Sequence, residues 1–484
     1  MRNLFGFILL FGMTQITNAQ QLLTLDSCRA LALHNNKQLS ISRVKQDVSA
    51  NLRKSARTMY LPHVSVLGAY EWTSKEISIL NDDQKSRLSN MGTNLAGGLA
   101  GKVLPYASIL PTALQGQLMT DLSQVASALD QKGQQVVDAF RTDTRNIFAG
   151  AVLVTQPIYM GGAITAMNKM ADIGEQMASY SAEAKMQATL YDIDQAYWQV
   201  VSLRHKQKLA QSYLDLVKKL DGDVQKMIEE GVATRSEGLS VSVKVNEAEM
   251  TLTKVNDGLV LSKMLLCQLC GLPVSDNVTL ADEEVEDLTA TPETAMPTGD
   301  AADNRPEVKL LQSTVDLSRQ LTNVLKAGNL PQVLLTGGYA FSNPNVFNGF
   351  EKKFAGFWNV GVMFRVPVWN WGDVAYKVRA SKGATTIATL ELEEAREKIG
   401  LQVNQCSFHV AEAYKKLELA KASTRRADEN LRTANLGFSE GVISSTTVME
   451  AQTAWLQAQS QKIDAEIDVK LSQVNLQKAL GQLR

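Results

Sequence analysis

Few residues of this sequence have the types and spacing that chemistry requires. Cys267 and Cys270 form a C-x-x-C pair, the spacing of dithiol redox centres. Such a centre needs a strand leading into a helix N-terminus, whereas these two lie near the end of a long helical pattern. Buried structural thiols are therefore the default reading. His34, His63, His205 and His409 are scattered too widely for the close ligand spacing of a zinc site. The sequence holds no G-x-x-x-x-G-K phosphate loop, no H-E-x-x-H helix and no coherent pairing of nucleophile with base. No catalytic, cofactor-binding or metal-ligating residue is assigned, and the chain reads as a non-enzyme. With 49 basic against 50 acidic residues it also lacks an electrostatic footprint for nucleic acid.

The informative pattern is architectural. All 11 prolines lie outside 162–271 and outside the stretch from Val368 to the C-terminus. Proline removes a backbone donor and clashes inside a helix, so each proline-free run reads as long helix. Each run is interrupted once, at Glu230-Gly231-Val232 and at Glu440-Gly441-Val442, with Thr234 and Ser444-Ser445 nearby to start the next helix. Two helical hairpins result, over 163–271 and 373–481. The rising arm from Ala163 to Glu229 would be about 100 Å long and the returning arm about 55 Å, far beyond an ordinary globular core. Tyr213, Leu216, Leu220, Val224 and Met227 recur at spacings of three and four, a coiled-coil-like seam.

The N-terminus carries secretory-signal features over 1–19: Arg2, the apolar run Leu4 to Met13, and Thr17-Asn18-Ala19 before Gln20. That run is too short to span a bilayer and no later segment is more apolar, so any membrane span is predicted to be β-barrel. Cys28 lies too far along to be a lipid-anchoring residue at the signal boundary.

Two offsets reveal an internal duplication. At 269 residues, Asn35 meets Asn304, Leu61-Pro62 meets Leu330-Pro331, and Val64, Gly68 and Tyr70 meet Val333, Gly337 and Tyr339. At 210 residues, Pro157 meets Pro367, Gly162 meets Gly372 and Gly271 meets Gly481. The difference, 59 residues, is an insertion between the two strands of the first repeat. The repeats are placed at 20–272 and 304–484, joined by a linker or belt at 273–303 whose Asp282-Glu283-Glu284 reads as a solvated acidic run. Strands are expected at about 62–73 and 148–159 in the first repeat and about 331–342 and 356–369 in the second. The insertion, 74–147, reads as a loop with a helical part at Leu118 to Phe140.

Along the first strand Val64, Val66, Gly68, Tyr70 and Trp72 share one face; along the last, Trp358, Val360, Val362, Phe364, Val366 and Val368 do. Length and alternation suit a tilted membrane strand, and Trp72, Tyr159, Trp358, Trp369 and Trp371 suit an aromatic girdle. A soluble hairpin packed on a core is the alternative. Four strands cannot close a barrel, so several copies must share one.

The order of these parts resembles the TolC-type outer-membrane efflux protein family. The residues that carry the likeness are Asn35-Asn36 and Asn304-Arg305-Pro306-Glu307 opening the repeats, Gln156-Pro157-Ile158-Tyr159 and Val366-Pro367-Val368-Trp369 closing the strands, and Glu440-Gly441-Val442-Ile443-Ser444 at the tip. The resemblance implies a mostly α fold with a membrane β-barrel. It implies a homotrimer in outer-membrane lipid that closes a barrel of twelve strands, continuous with a periplasmic helical tunnel. It implies a passive exit duct fed by an inner-membrane pump and a periplasmic adaptor, the adaptor meeting the tips Glu230, Gly231, Val232, Glu440, Gly441 and Val442. The family's acidic pore ring falls on Thr447 and Glu450, of which only Glu450 keeps the acid; Glu237 matches the acidic position in the first repeat. The family's gate-locking arginine and tyrosine fall on Ile443 and Phe438, so that polar latch is missing, and Arg235 is the nearby substitute considered. The alternatives are an exit duct for type I protein secretion and, in a different class, a non-conducting structural coiled coil of the envelope.

Overall fold

The computed structural model describes residues 21–76, 78–107, 111–141, 144–285, 303–346, 348 and 351–483. The signal-like segment and most of the inter-repeat linker, 286–302, lie outside them. The chain divides into two compact units, one helical and one built on a sheet.

The helical unit holds Met167–Thr322, Val378–Arg484 and the residues up to Lys54. Strand β1 (Gln21–Leu23) leads into α1 (Leu25–Asn35) and α2 (Lys37–Thr58). Thr24 caps α1 reciprocally with Ser27, satisfying two N-terminal amides. The hairpin helices α6 (Ala163–Glu229) and α7 (Arg235–Cys270) match α9 (Asp373–Ser439) and α10 (Ser445–Ala479); α6 and α9 have 67 residues each. The main core joins α1, α6 and α7 through Cys28, Ile193, Tyr197, Val200, Leu266 and Cys270. The predicted seam holds, with Tyr213, Leu220 and Val224 buried.

The inter-repeat segment departs from its reading as a solvated belt. Val278–Leu280 forms strand β4, parallel to β1. The acids that follow are engaged. Asp282 accepts the Tyr197 hydroxyl at 2.6 Å, Glu283 is 2% exposed with Lys263 Nζ at 3.2 Å, and Glu284 pairs with Lys208 at 2.5 Å. Lys263 of α7 offsets the cost of removing the Glu283 carboxylate from water, while Glu284 stays exposed.

The sheet unit comprises Ser55–Ala166 and Asn323–Lys377. Strands β2 (His63–Trp72), β3 (Asn146–Met160), β5 (Gln332–Asn343) and β6 (Ala355–Arg365) pair antiparallel in that order. Register sets Val64 beside Val154, Val66 beside Val152 and Tyr70 beside Phe148; across the sheet Val152 meets Tyr339, and Tyr339 meets Trp358. One face is thus apolar and aromatic from edge to edge. The other carries His63, Thr155, Thr336, Asn359 and Arg365. Both edge strands are exposed on both faces, β2 along its whole length, so this sheet is not the soluble hairpin packed on a core.

Two expectations are corrected here. The last strand ends at Arg365 rather than near 369, because its neighbour β5 begins at Gln332, opposite Arg365, and offers nothing further to pair. Val366 and Val368 therefore lie beyond it. The equivalent β3 continues past a bulge at Pro157 because Tyr159 and Met160 still find Val333 and Gln332. The insertion is not a loop: it forms α3 (Asp82–Ser89), α4 (Met91–Ala107) and α5 (Thr112–Ala139). Asp130 of α5 accepts the Gly92 amide at 2.6 Å and the Thr93 amide at 3.1 Å, holding the start of α4. The helix α8 (Pro306–Lys326) opens the second repeat.

Candidate functional site at the hairpin tips

Both tips are folded by the same two devices. At the first, Gly231 has φ 76°, and the Val232 and Gly231 amides donate to the Met227 and Ile228 carbonyls at 2.8 and 3.1 Å. At the second, Gly441 has φ 73°, and Val442 and Gly441 donate to Gly437 and Phe438 at 2.8 and 3.0 Å. These are Schellman closures, which need a left-handed residue that glycine adopts without a Cβ penalty. The glycines are thus required by the turn itself. Val232 and Val442, 69% and 81% exposed, are presented to solvent.

The returning helices start on side-chain caps, and the caps separate the predicted gate residues. Glu237 accepts the Thr234 amide at 2.7 Å while Thr234 Oγ1 accepts the Glu237 amide at 3.3 Å. In the second repeat Ser444 Oγ accepts the Thr447 amide at 3.3 Å, and the two hydroxyls lie 3.1 Å apart. Glu237 and Thr447 therefore hold helix starts together. Glu450, about one turn further along, is exposed and makes no side-chain hydrogen bond or ion pair among the described residues. Of the three candidates it alone presents an unengaged carboxylate.

The positions that lack the polar latch are packed. Phe438 and Ile443 join Leu220, Val224, Val241 and Val448 in one apolar cluster that draws on both hairpins. Arg235, read as a possible substitute, makes no side-chain hydrogen bond or ion pair among the described residues. Gln452, which sequence reasoning missed, is 1% exposed and donates its amide to the Leu216 carbonyl of α6 at 3.4 Å. Its identity carried no signal, since glutamine on a helix usually faces water. Trp455, like Leu216, packs against the buried Leu431, Ala434 and Ala451, and donates to Asp428 at 2.7 Å. Further along, Lys206 of α6 pairs with Asp464 of α10 at 2.6 Å. Beside these contacts a groove of about 530 Å³ brings Glu230 and Val232 of one tip together with Gly441 of the other, between Lys219, Asp223 and Lys226.

No helix among the described residues is long and apolar enough to cross a membrane. The chain thus has a four-stranded sheet with one apolar face and two open edges, and, in its other unit, two long helical hairpins. Residues 298–482 match the family described as outer membrane efflux protein. The outer membrane protein TolC of Vibrio cholerae is 21% identical over 348 residues, covering 70% of this chain and 77% of the relative. Among solved structures, the Campylobacter jejuni CmeC outer membrane channel superposes with a TM-score of 0.72 at 14% identity, over 95% of this chain and 86% of that one. The Vibrio cholerae outer membrane protein VceC gives 0.69 at 12% identity, over 94% and 96%. The second repeat thus matches the outer membrane efflux protein family, and the chain as a whole has the fold of TolC-type outer membrane channels. It is a channel protein of the Gram-negative outer membrane rather than an enzyme.

Proposed function

We propose that three copies of the chain pool their four-stranded sheets into one closed barrel of twelve strands and act as the passive exit duct of a tripartite efflux system. Small molecules enter from an inner-membrane pump, and a periplasmic adaptor docks in the groove between the tips, against Glu230, Val232 and Gly441. The observation that carries this reading is the sheet, with an apolar face continuous across all four strands and unpaired donors and acceptors along β2 and β6. An apolar face suits lipid, and only closure satisfies the edges there. At the tips the apolar cluster around Phe438 and Ile443 keeps the entrance shut, and Glu450 supplies one carboxylate per copy to the pore.

Ion conductance of the detergent-purified mature protein in a planar bilayer tests the reading. Discrete steps, blocked by multivalent cations from the tip side, are expected. Glu450→Ala should weaken that block, and an unchanged block removes Glu450 from the entrance. Silence that persists after Gly441 and Val442 are disrupted would overturn the duct in favour of a structural coiled coil.

A further inference from the structure

The first repeat carries three extra helices, α3 to α5, where the second joins β5 to β6 through residues 344–354. This insertion leaves β2 at Trp72 and enters β3 at Asn146, the strand ends opposite those that connect to α2 and α6. A chain that enters the sheet from the periplasm thus presents the insertion at the outer mouth of the barrel. Its base is tied to the hairpin. The Thr73 amide donates to the Arg145 carbonyl at 2.9 Å, and Arg141 Nε lies 3.3 Å from a Glu76 oxygen.

Within the insertion, α4 packs through its small residues and shows its larger ones. Gly92 is buried and Ala96 and Ala100 are half-buried, successive turns of one side. A Cβ on Gly92 would collide with the Ala126 carbonyl oxygen of α5, and one on Gly133 of α5 with the Leu88 carbonyl oxygen of α3, so these helices approach with only a glycine's clearance. Another side of α4 is open. Met91, Leu95 and Leu99 are exposed, Leu95 at 52%, and a Cβ on Gly98 would meet nothing within 4 Å. These four residues recur at spacings of three and four, within about 100° of one another around the helix. From Met91 to Leu129 the only charged residues are Lys102 and Asp121. An exposed helix side so apolar, in a segment so poor in charge, is built to be covered.

We propose that the α4 helices of three copies meet along Met91, Leu95, Gly98 and Leu99 and cover the exit of the barrel as an outer cap. The inference rests on the shared twelve-stranded barrel proposed above. The insertion springs from β2, the open edge that β6 of the next copy must pair, so the cap continues the seam between copies. One insertion per copy places three around the mouth. A closed barrel of twelve tilted strands is about 24 Å across, which puts its axis about 12 Å from the rim. At 17 residues α4 is about 25 Å long, enough to reach that axis. A lipid surface is the poorer fit. Helices that lie in a bilayer interface carry several Lys or Arg opposite large apolar side chains, whereas α4 has Lys102 as its one charged residue and neither Trp nor Phe. A glycine in the stripe instead suits close approach of another helix.

The test is crosslinking of the full chain in outer-membrane fragments with a short bis-maleimide. Leu95→Cys should give denaturant-resistant dimers in excess of the wild type, and Ser123→Cys, exposed on α5, should not. Adding Leu99→Asp should abolish the Leu95→Cys dimer, because three carboxylates would enter one apolar contact. In a planar bilayer, Leu99→Asp combined with the disrupted tip should conduct more than the disrupted tip alone. Protein that native mass shows to be trimeric but that gives no Leu95→Cys dimer would overturn the cap and leave the duct standing. So would an adduct of Leu95→Cys with a protein of another mass, or equal dimer yields at Leu95→Cys and Ser123→Cys. Equal conductance with and without Leu99→Asp would overturn the covering of the exit. Monomeric protein would overturn the shared barrel and the cap together.

Discussion

Trp198 and Phe408 hold equivalent positions in the two repeats, yet Trp198 is 8% exposed and Phe408 77%. Trp198 sits edge-on to Tyr197 with ring centroids 5.5 Å apart and carries Lys470 over its face. It is covered by the main core, to which α1, α7 and the segment around β4 all contribute. Phe408 shares the outward side of α9 with Leu419, 62% exposed, and its own chain supplies no cover. The two hairpins agree in helix length and turn closure but not in burial. Duplication copied the backbone; the neighbours were not copied with it. The buried acid shows the same asymmetry. Asp194 is fully buried and accepts Arg29 Nε at 2.7 Å, whereas the equivalent residue in the second repeat is Asn404. Burial pushes the Asp194 carboxyl up while Arg29 pulls it back down, so the pair belongs to a core that only the first hairpin has. In the proposed trimer, the open face of α9 is where a neighbouring copy completes the second.

The sharpest break of this comparison is Trp198→Ala against Phe408→Ala. The first should cost about 3–5 kcal/mol of protomer stability, the usual penalty for emptying a buried aromatic site. The second should change protomer stability by less than about 0.5 kcal/mol and act, if at all, on trimer dissociation. Denaturant unfolding beside native-mass analysis of the detergent-solubilised protein separates the two readouts. Equal costs at both positions would mean that the second hairpin has an internal core after all.

Next in size is Phe364→Arg, on the apolar face of β6. It should lower the yield of membrane-assembled protein by an amount equivalent to about 2–4 kcal/mol if the residue lies near mid-bilayer, falling toward zero near an interface. Asn359→Arg, on the opposite face, should assemble normally. Normal assembly of both would sink the assignment of the lipid-facing side.

The caps give a smaller contrast. Thr234→Ala removes a reciprocal pair and Ser444→Ala a single backbone acceptor, so losses of about 1 kcal/mol are expected, the larger at Thr234. Hydrogen exchange of the amides at 237 and 447 reads each helix start directly. Loss at Ser444 exceeding that at Thr234 would reverse the order.

The smallest effect is a pH dependence confined to the first repeat. Burial lowers the pKa of His205 from 6.5, and its Nε2 is buried without a hydrogen-bond partner. A depressed folded value means that this contribution is fully present above pH 6.5 and is lost as pH falls through the folded pKa. His205→Gln should flatten the stability curve between about pH 6.5 and the folded pKa; an unchanged slope would assign it to other groups.

Much of the fold was legible because the signals are local or periodic. Two proline-free runs, one Gly-Val turn in each and two offsets of self-similarity sufficed for the hairpins, the duplication and the strand faces. Strand ends were less legible. Nothing in Val366-Pro367-Val368 says that β6 stops at Arg365, because that depends on where β5 begins. The insertion read as a loop because α4 is glycine-rich over Ala96 to Gly101, although Asp130 and close helix contacts sustain it. At the tips the missing latch was visible as Phe438 and Ile443, but its replacement was not, since Gln452 acquires meaning only when α10 lies against the Leu216 carbonyl.

By itself the sequence determined helix length, turn position and which side of each strand is apolar, all consequences of backbone sterics and side-chain period acting over a few residues. Only the tertiary structure decided that those apolar sides fall in register across β2, β3, β5 and β6. The same holds for the burial of Trp198 against Phe408. Each of these depends on which distant segment arrives alongside, and no local preference records that.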